Sequence, residues 1–453
     1  MSSFYGIELG IRALRAFQTG METTGHNVAN VNTPGYTRRR VVFAPTPDYP
    51  LAPRLRLGSG VIAQSIQRLR DLMLEGRINR AGADLAQLET LRQQLQQIER
   101  LFNEPGELGL SARLNALFNA FEELATRPDS MAARQSVIQA ASALVSTFRT
   151  LHRDMTTQES QLMEQAQARI QEANQLAAQL GRLNEQIRAA TASGAEPGDL
   201  LDQRDRLVSR LSELVGARVH YAQDGSVMVY VDGHTLVQDG AAFPLPTTLD
   251  IANRSLDHTP VDIRIQTGEL RGLMDAIANL QSYRADLNRL AATLIAQVNA
   301  IHSTGYGLDN NTGYLFFDGT DASNITLHAD ISDPSRIAAA SIPNAPGNGG
   351  VARALADLRT ASQGTLGGVS ITQFYRNLIG RVGNDAQVSK NRAESQQLTT
   401  AHLLQLRESV SGVSLDEEAA NLVKFQRSYQ AAAKMISAFD GLLEDVLQFV
   451  APR

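Results

Sequence analysis

Cysteine is absent from the 453 residues, which excludes disulfides, thiolate metal sites and a cysteine nucleophile. Tryptophan is absent as well, and aromatic residues make up only 5% of the chain, too few for an aromatic-lined recognition groove. Lysine occurs only at Lys390, Lys424 and Lys434, so arginine supplies nearly all of the 42 basic residues. Against 47 acidic residues these leave a net charge of −5, the wrong sign for a sequence-independent nucleic-acid binder. No run approaches the ~18 apolar residues of a membrane span. Glu8, Arg12 and Arg15 interrupt the stretch where a signal peptide would be apolar, so none is expected. At roughly 150 residues per domain the length allows about two to four domains with cores of their own.

What is present is helical periodicity. Near the start Ile7, Ile11, Leu14, Met21 and Val28 fall on alternating steps of four and three, with Gln18 and Gly25 as gaps, which predicts a helix with one apolar seam. It should stop in Asn30-Val31-Asn32-Thr33-Pro34-Gly35-Tyr36, where Pro-Gly suits a type II turn. At the other end Ser414 and Glu417 form a capping box. From there Leu415, Leu422, Phe425, Tyr429, Ala432, Ile436, Phe439, Leu443, Val446 and Val450 hold the same alternation, interrupted only by Glu418. Further seams run through Leu88–Phe102, Ala173–Ala190 and Leu273–Ile301, the last with Arg284 out of place. Repeats of about 3.5 residues sustained this long predict coiled-coil packing of long helices.

The pattern changes near Gly216. Val219 and Tyr221, Asp224-Gly225, Val227, Val229 and Val231, then Asp232-Gly233 read as a β-meander with tight turns, and Val261, Ile263 and Ile265 as one more strand. A second non-helical stretch, rich in Gly, Asn, Asp and Pro, runs from about 305 to 350. The expected fold class is mainly α with inserted β. A discontinuous coiled-coil rod is built from N- and C-terminal parts, and a small β-rich outer domain is inserted in it. The expected boundaries are 1–60 and 405–453 for a terminal helical coiled coil, 61–215, 268–304 and 351–404 for a helical rod, and 216–267 and 305–350 for the outer domain.

The search for chemistry returns little. The eight histidines are scattered and form no metal-binding pair, so they read as solvated or satisfied imidazoles. Asp309-Asn310-Asn311-Thr312-Gly313 starts like a calcium loop, but Tyr314 and Thr320 stand where glycine and glutamate are required, so it reads as a turn. Gly364-Thr365-Leu366-Gly367-Gly368 lacks the Lys-Ser/Thr of a phosphate loop and reads as a link. Glu417 and Glu418 lie at a helix start, where the dipole explains them. Arg38, Arg39 and Arg40, with Arg54 and Arg56 nearby, form the one basic cluster. The first sixty residues carry more basic than acidic residues and the last fifty the reverse, which favours association of the two ends. No catalytic residue, cofactor or metal site is expected, and the chain is not expected to be an enzyme.

Four stretches carry a resemblance. Ala29-Asn30-Val31-Asn32-Thr33-Pro34-Gly35-Tyr36 after an amphipathic helix resembles the N-terminal signature of bacterial flagellar axial proteins of the rod, hook and hook-associated group. Ser414-Leu415-Asp416-Glu417-Glu418-Ala419-Ala420-Asn421-Leu422, with Phe425-Gln426 and Tyr429-Gln430-Ala431, resembles that group's C-terminal motif. Leu200-Leu201-Asp202-Gln203-Arg204-Asp205-Arg206-Leu207 before the meander, and Gly268-Glu269-Leu270-Arg271-Gly272-Leu273 before a long helix, resemble the hook-associated, junction-forming branch. The resemblance implies a structural subunit of the flagellum, extracellular and secreted without a cleaved signal, at the junction between hook and filament. A hook or distal-rod subunit is the alternative, and a flagellar scaffold with a muralytic outer domain a more distant one. Implied partners are a ring of like subunits, the hook protein, the second junction protein, an export chaperone and the type III export apparatus, with neither nucleic acid nor membrane insertion. The residues expected to serve assembly are Ile7, Ile11, Leu14, Met21, Asn30, Thr33, Pro34, Gly35, Tyr36, Leu422, Phe425, Tyr429, Ile436, Phe439 and Leu443.

Overall fold

The computed structural model describes residues 2–46, 49–52, 55–58, 60–194, 196–259 and 261–450. Arg54 of the basic cluster lies outside them, as do the side chains of Arg56, Val446 and Val450. Nine helices are described: α1 (Ser2–Ala29), α2 (Leu72–Leu101), α3 (Leu110–Thr126), α4 (Met131–Ala192), α5 (Gly198–Val215), α6 (Glu269–His302), α7 (Gly350–Asp357), α8 (Ile371–Ser411) and α9 (Leu415–Val450). The described strands are short: β1 (Arg39–Pro45), β2 (Tyr49–Ala52), β3 (Leu55–Leu57) and β4 (Val61–Arg68) near the start, and β5 (Arg218–Tyr221), β6 (Val227–Val231), β7 (His234–Gln238) and β8 (Ala241–Ala242) in the middle. Two-residue strands follow: β9 (Leu249–Asp250), β10 (Ser255–Leu256), β11 (Ile263–Arg264), β12 (Phe317–Asp318) and β13 (Thr326–Leu327). The architecture is mainly α with small β insertions, as the periodicity predicts.

By spatial contact the chain forms two compact units, one of residues 1–83, 173–245 and 397–453, the other of 84–172 and 246–396. The meander thus falls with the terminal helices, and β9–β13 fall in the second unit, whereas the sequence pattern suggests separate terminal, rod and outer domains. Helices α2, α4 and α8 contribute residues to both units.

In the first unit α1 and α9 pack antiparallel. Their contact is made by small residues on one side and large ones on the other. A Cβ on Gly6 would lie 2.6 Å from the Phe439 ring, one on Gly20 3.1 Å from the Phe425 ring, and one on Gly10 would overlap Ile436. The large apolar seam of α1 is only partly covered: Ile7, Leu14 and Met21 are half-buried, and Ile11 and Val28 are each 40% exposed. The strand pair β1/β4, unforeseen in the sequence, runs antiparallel from Arg39 opposite Arg68 to Pro45 opposite Val61, with a bulge at Val42/Phe43. Phe43 stands between Phe17 of α1 and Phe425 of α9, with ring centroids 6.1 and 5.7 Å away. The meander forms a four-stranded antiparallel sheet in the order β5-β6-β7-β8, and Val227, Val229 and Val231 are buried. Asn184 of α4 ties it down by exchanging hydrogen bonds with the Val227 main chain at 2.8 and 3.1 Å. Gly216, at φ 67°, ends α5 in the left-handed conformation that glycine adopts without strain.

The core of the second unit is the buried face of α6, Leu273 through Val298, together with Leu114, Phe118 and Phe121 of α3 and Leu144, Phe148 and Met155 of α4. Arg284, the misfit in the α6 seam, pairs with Glu159 of α4. His302, fully buried, has both ring nitrogens satisfied: Nδ1 meets the Tyr314 carbonyl at 2.8 Å and Nε2 accepts from Ala338 N–H at 2.9 Å. Asp309 closes its turn by accepting from Asn311 N–H and Tyr314 O–H. Residues Gly364–Leu366 form a tight 3-10 turn rather than an open link.

Candidate assembly site where the three motifs meet

Three of the four resembling stretches lie together in the first unit, and the fourth, Gly268–Leu273, lies in the second. The turn after α1 is built as predicted. Tyr36 N–H donates to the Thr33 carbonyl at 3.1 Å, with Pro34 and Gly35 between them and Gly35 at φ 77°, the geometry of a type II turn. Asn30 supports it by accepting from the Thr33 hydroxyl at 3.2 Å. Asn32, Thr33, Pro34 and Gly35 are exposed.

One helical turn upstream, Asn27 is 1% exposed and uses its whole side-chain capacity. Its amide nitrogen donates to the Arg39 carbonyl at 2.8 Å and to Glu418 Oε2 at 3.1 Å. Its oxygen accepts from Tyr36 O–H at 2.8 Å and from Arg39 N–H at 3.0 Å. Sequence reasoning missed Asn27. The only signal was a polar residue on a face the apolar seam did not claim.

Arg38 then joins the two ends of the chain. Its Nε donates to Glu418 Oε1 at 2.8 Å, and its Nη1 donates to Glu417 Oε2 at 2.6 Å. Glu418 is 2% exposed, so its interruption of the α9 seam marks a buried ion pair rather than a defect. Burial alone would lower the Arg38 guanidinium; the hydrogen bonds and charges of Glu417 and Glu418 outweigh it and hold it above its ordinary value. The predicted capping box is half present: Glu417 N–H reaches Ser414 Oγ at 3.4 Å, while the Glu417 carboxylate serves Arg38. Thus the dipole is only a fraction of the reason for the two glutamates.

The third motif supplies a ladder of carboxylates on α5. Asp199, Asp202 and Asp205 follow one another at steps of three, and arginines of the β1/β4 pair lie between them. Arg39 Nη2 is 2.5 Å from Asp199 Oδ1 and 3.4 Å from Asp202 Oδ2. Arg68 Nη2 is 2.5 Å from Asp202 Oδ1 and 2.7 Å from Asp205 Oδ2. Arg70 Nη1 meets the same Asp205 oxygen at 2.7 Å and its guanidinium lies 5.1 Å over the Tyr221 ring. The hydrogen bond from Arg39 is the main reason the Asp199 carboxyl sits below its usual value. Arg38 and Arg39 are therefore engaged with carboxylates rather than available to a polyanion.

The expected assembly residues of α9 divide into three groups. Phe425, Ile436 and Phe439 are taken up by the glycines of α1; Tyr429 and Leu443 are half-buried; Leu422 is 41% exposed. Among the described residues no helix is long and apolar enough to cross a membrane. Asp250, Asp257 and Asp262 of the second unit bring carboxylate oxygens within 4.8 Å of one another, a group that could hold a cation.

The comparisons agree with this arrangement. Residues 7–37 match the flagella basal body rod protein family and residues 405–449 the C-terminal family of flagellar basal body rod proteins FlgEFG. Both ends are thus those of flagellar axial proteins. Residues 95–317 match the helical domain of flagellar hook-associated protein FlgK. Flagellar hook-associated protein 1 of Bacillus subtilis is 29% identical, over 98% of both chains. Those of Salmonella typhimurium and Escherichia coli are 26% and 25% identical, each over 97% of this chain and 99% of the relative. The flagellar hook junction protein FlgK from Burkholderia pseudomallei superposes with a TM-score of 0.64 at 17% identity, covering 74% of this chain and all of that one. The chain is similar to flagellar hook-associated protein 1 over nearly its whole length, and these relatives are structural flagellar proteins.

Proposed function

We propose that the chain is a structural, non-catalytic subunit of the junction between the flagellar hook and filament, assembled outside the cell through its terminal helices. The observation that carries this reading is the division of labour on α1. Glycines of α1 meet large side chains of α9, while among its own large apolar residues Ile7, Leu14 and Met21 are only half-buried and Ile11 is 40% exposed. Isolated apolar stripes of this kind seek partners. The partner proposed is a second copy in a ring, with Leu422 and the exposed residues Asn32, Thr33, Pro34 and Gly35 at its border. Hook protein would lie on one side of the ring and the second junction protein on the other. Delivery through the type III export apparatus with an export chaperone, without a cleaved signal, completes the proposal. The segments 1–60 and 405–453 serve as the assembly module in this reading.

Deleting the coding region tests it. Hooks without filaments, with unpolymerised flagellin in the medium, are expected by electron microscopy and immunoblotting. Missing hooks would move the chain to the hook or distal rod, a reading the rod-family matches at both ends favour. Normal filaments would refute an axial role. In the complemented strain Ile11→Glu, at an exposed position, should leave the secreted subunit folded yet fail to restore filaments.

A further inference from the structure

The terminal elements α1, β1–β4 and α9 are joined to the rest of the first unit by two short covalent links, Leu69–Asp71 before α2 and Gly412–Ser414 before α9. Around those links the described contacts are polar. Arg38 spans the second link, its N–H donating to the Ser411 carbonyl at the end of α8 while its side chain holds Glu417 and Glu418 at the start of α9. Between β1/β4 and α5 the described contacts include the arginine–aspartate ladder and the Arg39 guanidinium against Gly198. Arg39 and Arg68 face each other across the strand pair, and both close on Asp202, whose side chain is 5% exposed. Clefts of about 290 and 560 Å³ open beside this contact, the first lined by the Thr33–Tyr36 turn, Asp205 and Arg407, the second by His26, Arg39 and Ile66. Ionic contacts bordered by clefts fix direction without the volume-filling packing that makes an apolar interface rigid.

We propose that the acidic face of α5 is the joint that sets the orientation of the terminal helical body, with Asp202 as its positioning residue. Asp202 is the one carboxylate of the ladder that both Arg39 and Arg68 reach; removing it leaves Arg39 with Asp199 and Arg68 with Asp205 but breaks the shared buried contact that couples the two strands at α5. The α1/α9 pair itself depends on the glycine contacts and Asn27, not on Asp202, so the body should turn as a piece. The proposal builds on the assembly role of the terminal helices, because the joint would decide which way their apolar stripe is presented.

The cysteine-free chain permits a direct test in the purified, unassembled protein. Spin labels at Gln426→Cys on α9 and Met73→Cys on α2 report the joint; labels at Arg15→Cys on α1 and Gln426→Cys report the helix pair. Electron–electron resonance should give one narrow distance distribution for each pair in the parent. In Asp202→Ala and Asp202→Asn the 73–426 distribution should broaden at least twofold or shift by several ångströms, the 15–426 distribution should stay narrow, and Asp202→Glu should restore the first. An unchanged 73–426 distribution in Asp202→Ala overturns the proposal. Joint broadening of both pairs also overturns it, because Asp202 would then serve the fold of the pair rather than its direction. The measurement needs no assembled flagellum, so it stands or falls separately from the filament phenotype of the deletion strain.

Discussion

The ion pair between Arg38 and Glu418 can be dissected quantitatively. Glu418 is buried, takes two nitrogens of Arg38 at 2.7 and 2.8 Å and one N–H from Asn27. Breaking a buried pair by removing one partner costs about 3–5 kcal/mol. Arg38 keeps exposed Glu417, which reduces that cost, while Asn27 loses an acceptor, which adds about 1–3 kcal/mol. Glu418→Ala should therefore destabilise the docking of α9 by about 3 kcal/mol. Native-state hydrogen exchange reads this locally: amides of α9 between Asn421 and Ile436 should exchange about a hundredfold faster. The double variant Arg38→Met, Glu418→Leu replaces the pair by apolar side chains of similar length and should recover only the ionic part of the loss, leaving the cost of about 1–3 kcal/mol from the acceptor that Asn27 still lacks. If Glu418→Ala changes α9 exchange less than about threefold, the carboxylate is not a buried partner of Arg38 and the account of the site is wrong.

Two further perturbations reach other regions of the chain. Gly10→Val should loosen α1 by about 2 kcal/mol through overlap with Ile436, and Ile436→Ala in the same chain should restore some of that loss, measured by protection of α1 amides; an Ile436→Ala change that adds to the damage would disprove the contact. Burial lowers the His302 imidazole to about 4, and its Nε2 must stay unprotonated to accept from Ala338. Its contribution is constant above a pH of about 6.5, the unfolded value, and falls as pH drops from there toward 4, by about 3 kcal/mol in all. Thermal unfolding of the parent should thus show a loss over that range that His302→Gln lacks, and parallel curves for the two would refute it.

Much of the helical framework is legible in the sequence because α-helical seams leave a period that survives without knowledge of the partner. The turn at Thr33–Tyr36 and the meander after Gly216 are legible for a related reason: each is written locally, by Pro-Gly and Asp-Gly pairs and by alternating valines. What escapes is burial that depends on the other side of a contact. The seam through Ile7, Ile11 and Leu14 reads as the buried face of α1 because large apolar residues are expected inside; the face against α9 is carried by glycines, whose closeness to Phe425 and Phe439 cannot be scored as hydrophobicity. Glu418 and Arg284 break their seams for partners 380 and 125 residues away, Arg38 and Glu159. The β1/β4 pair carries arginines at one end and Pro45 at the other, and the residues that hold it against α1, Phe43 and Asn27, have no periodic context.

The antiparallel contact between α1 and α9 has a consequence in time. Gly6 meets Phe439, and Asn27 meets Glu418 across 391 positions. Contacts of this sequence separation are the slowest class to form, since the closure of so long a loop precedes any gain from them. A chain that appears in order from residue 1 presents α1 first and its cover last. Throughout that interval the glycine face of α1 is without its α9 neighbour. The earliest helix to emerge is consequently the latest to be finished, and its sequence must stay tractable for the whole time the other four hundred residues take to arrive.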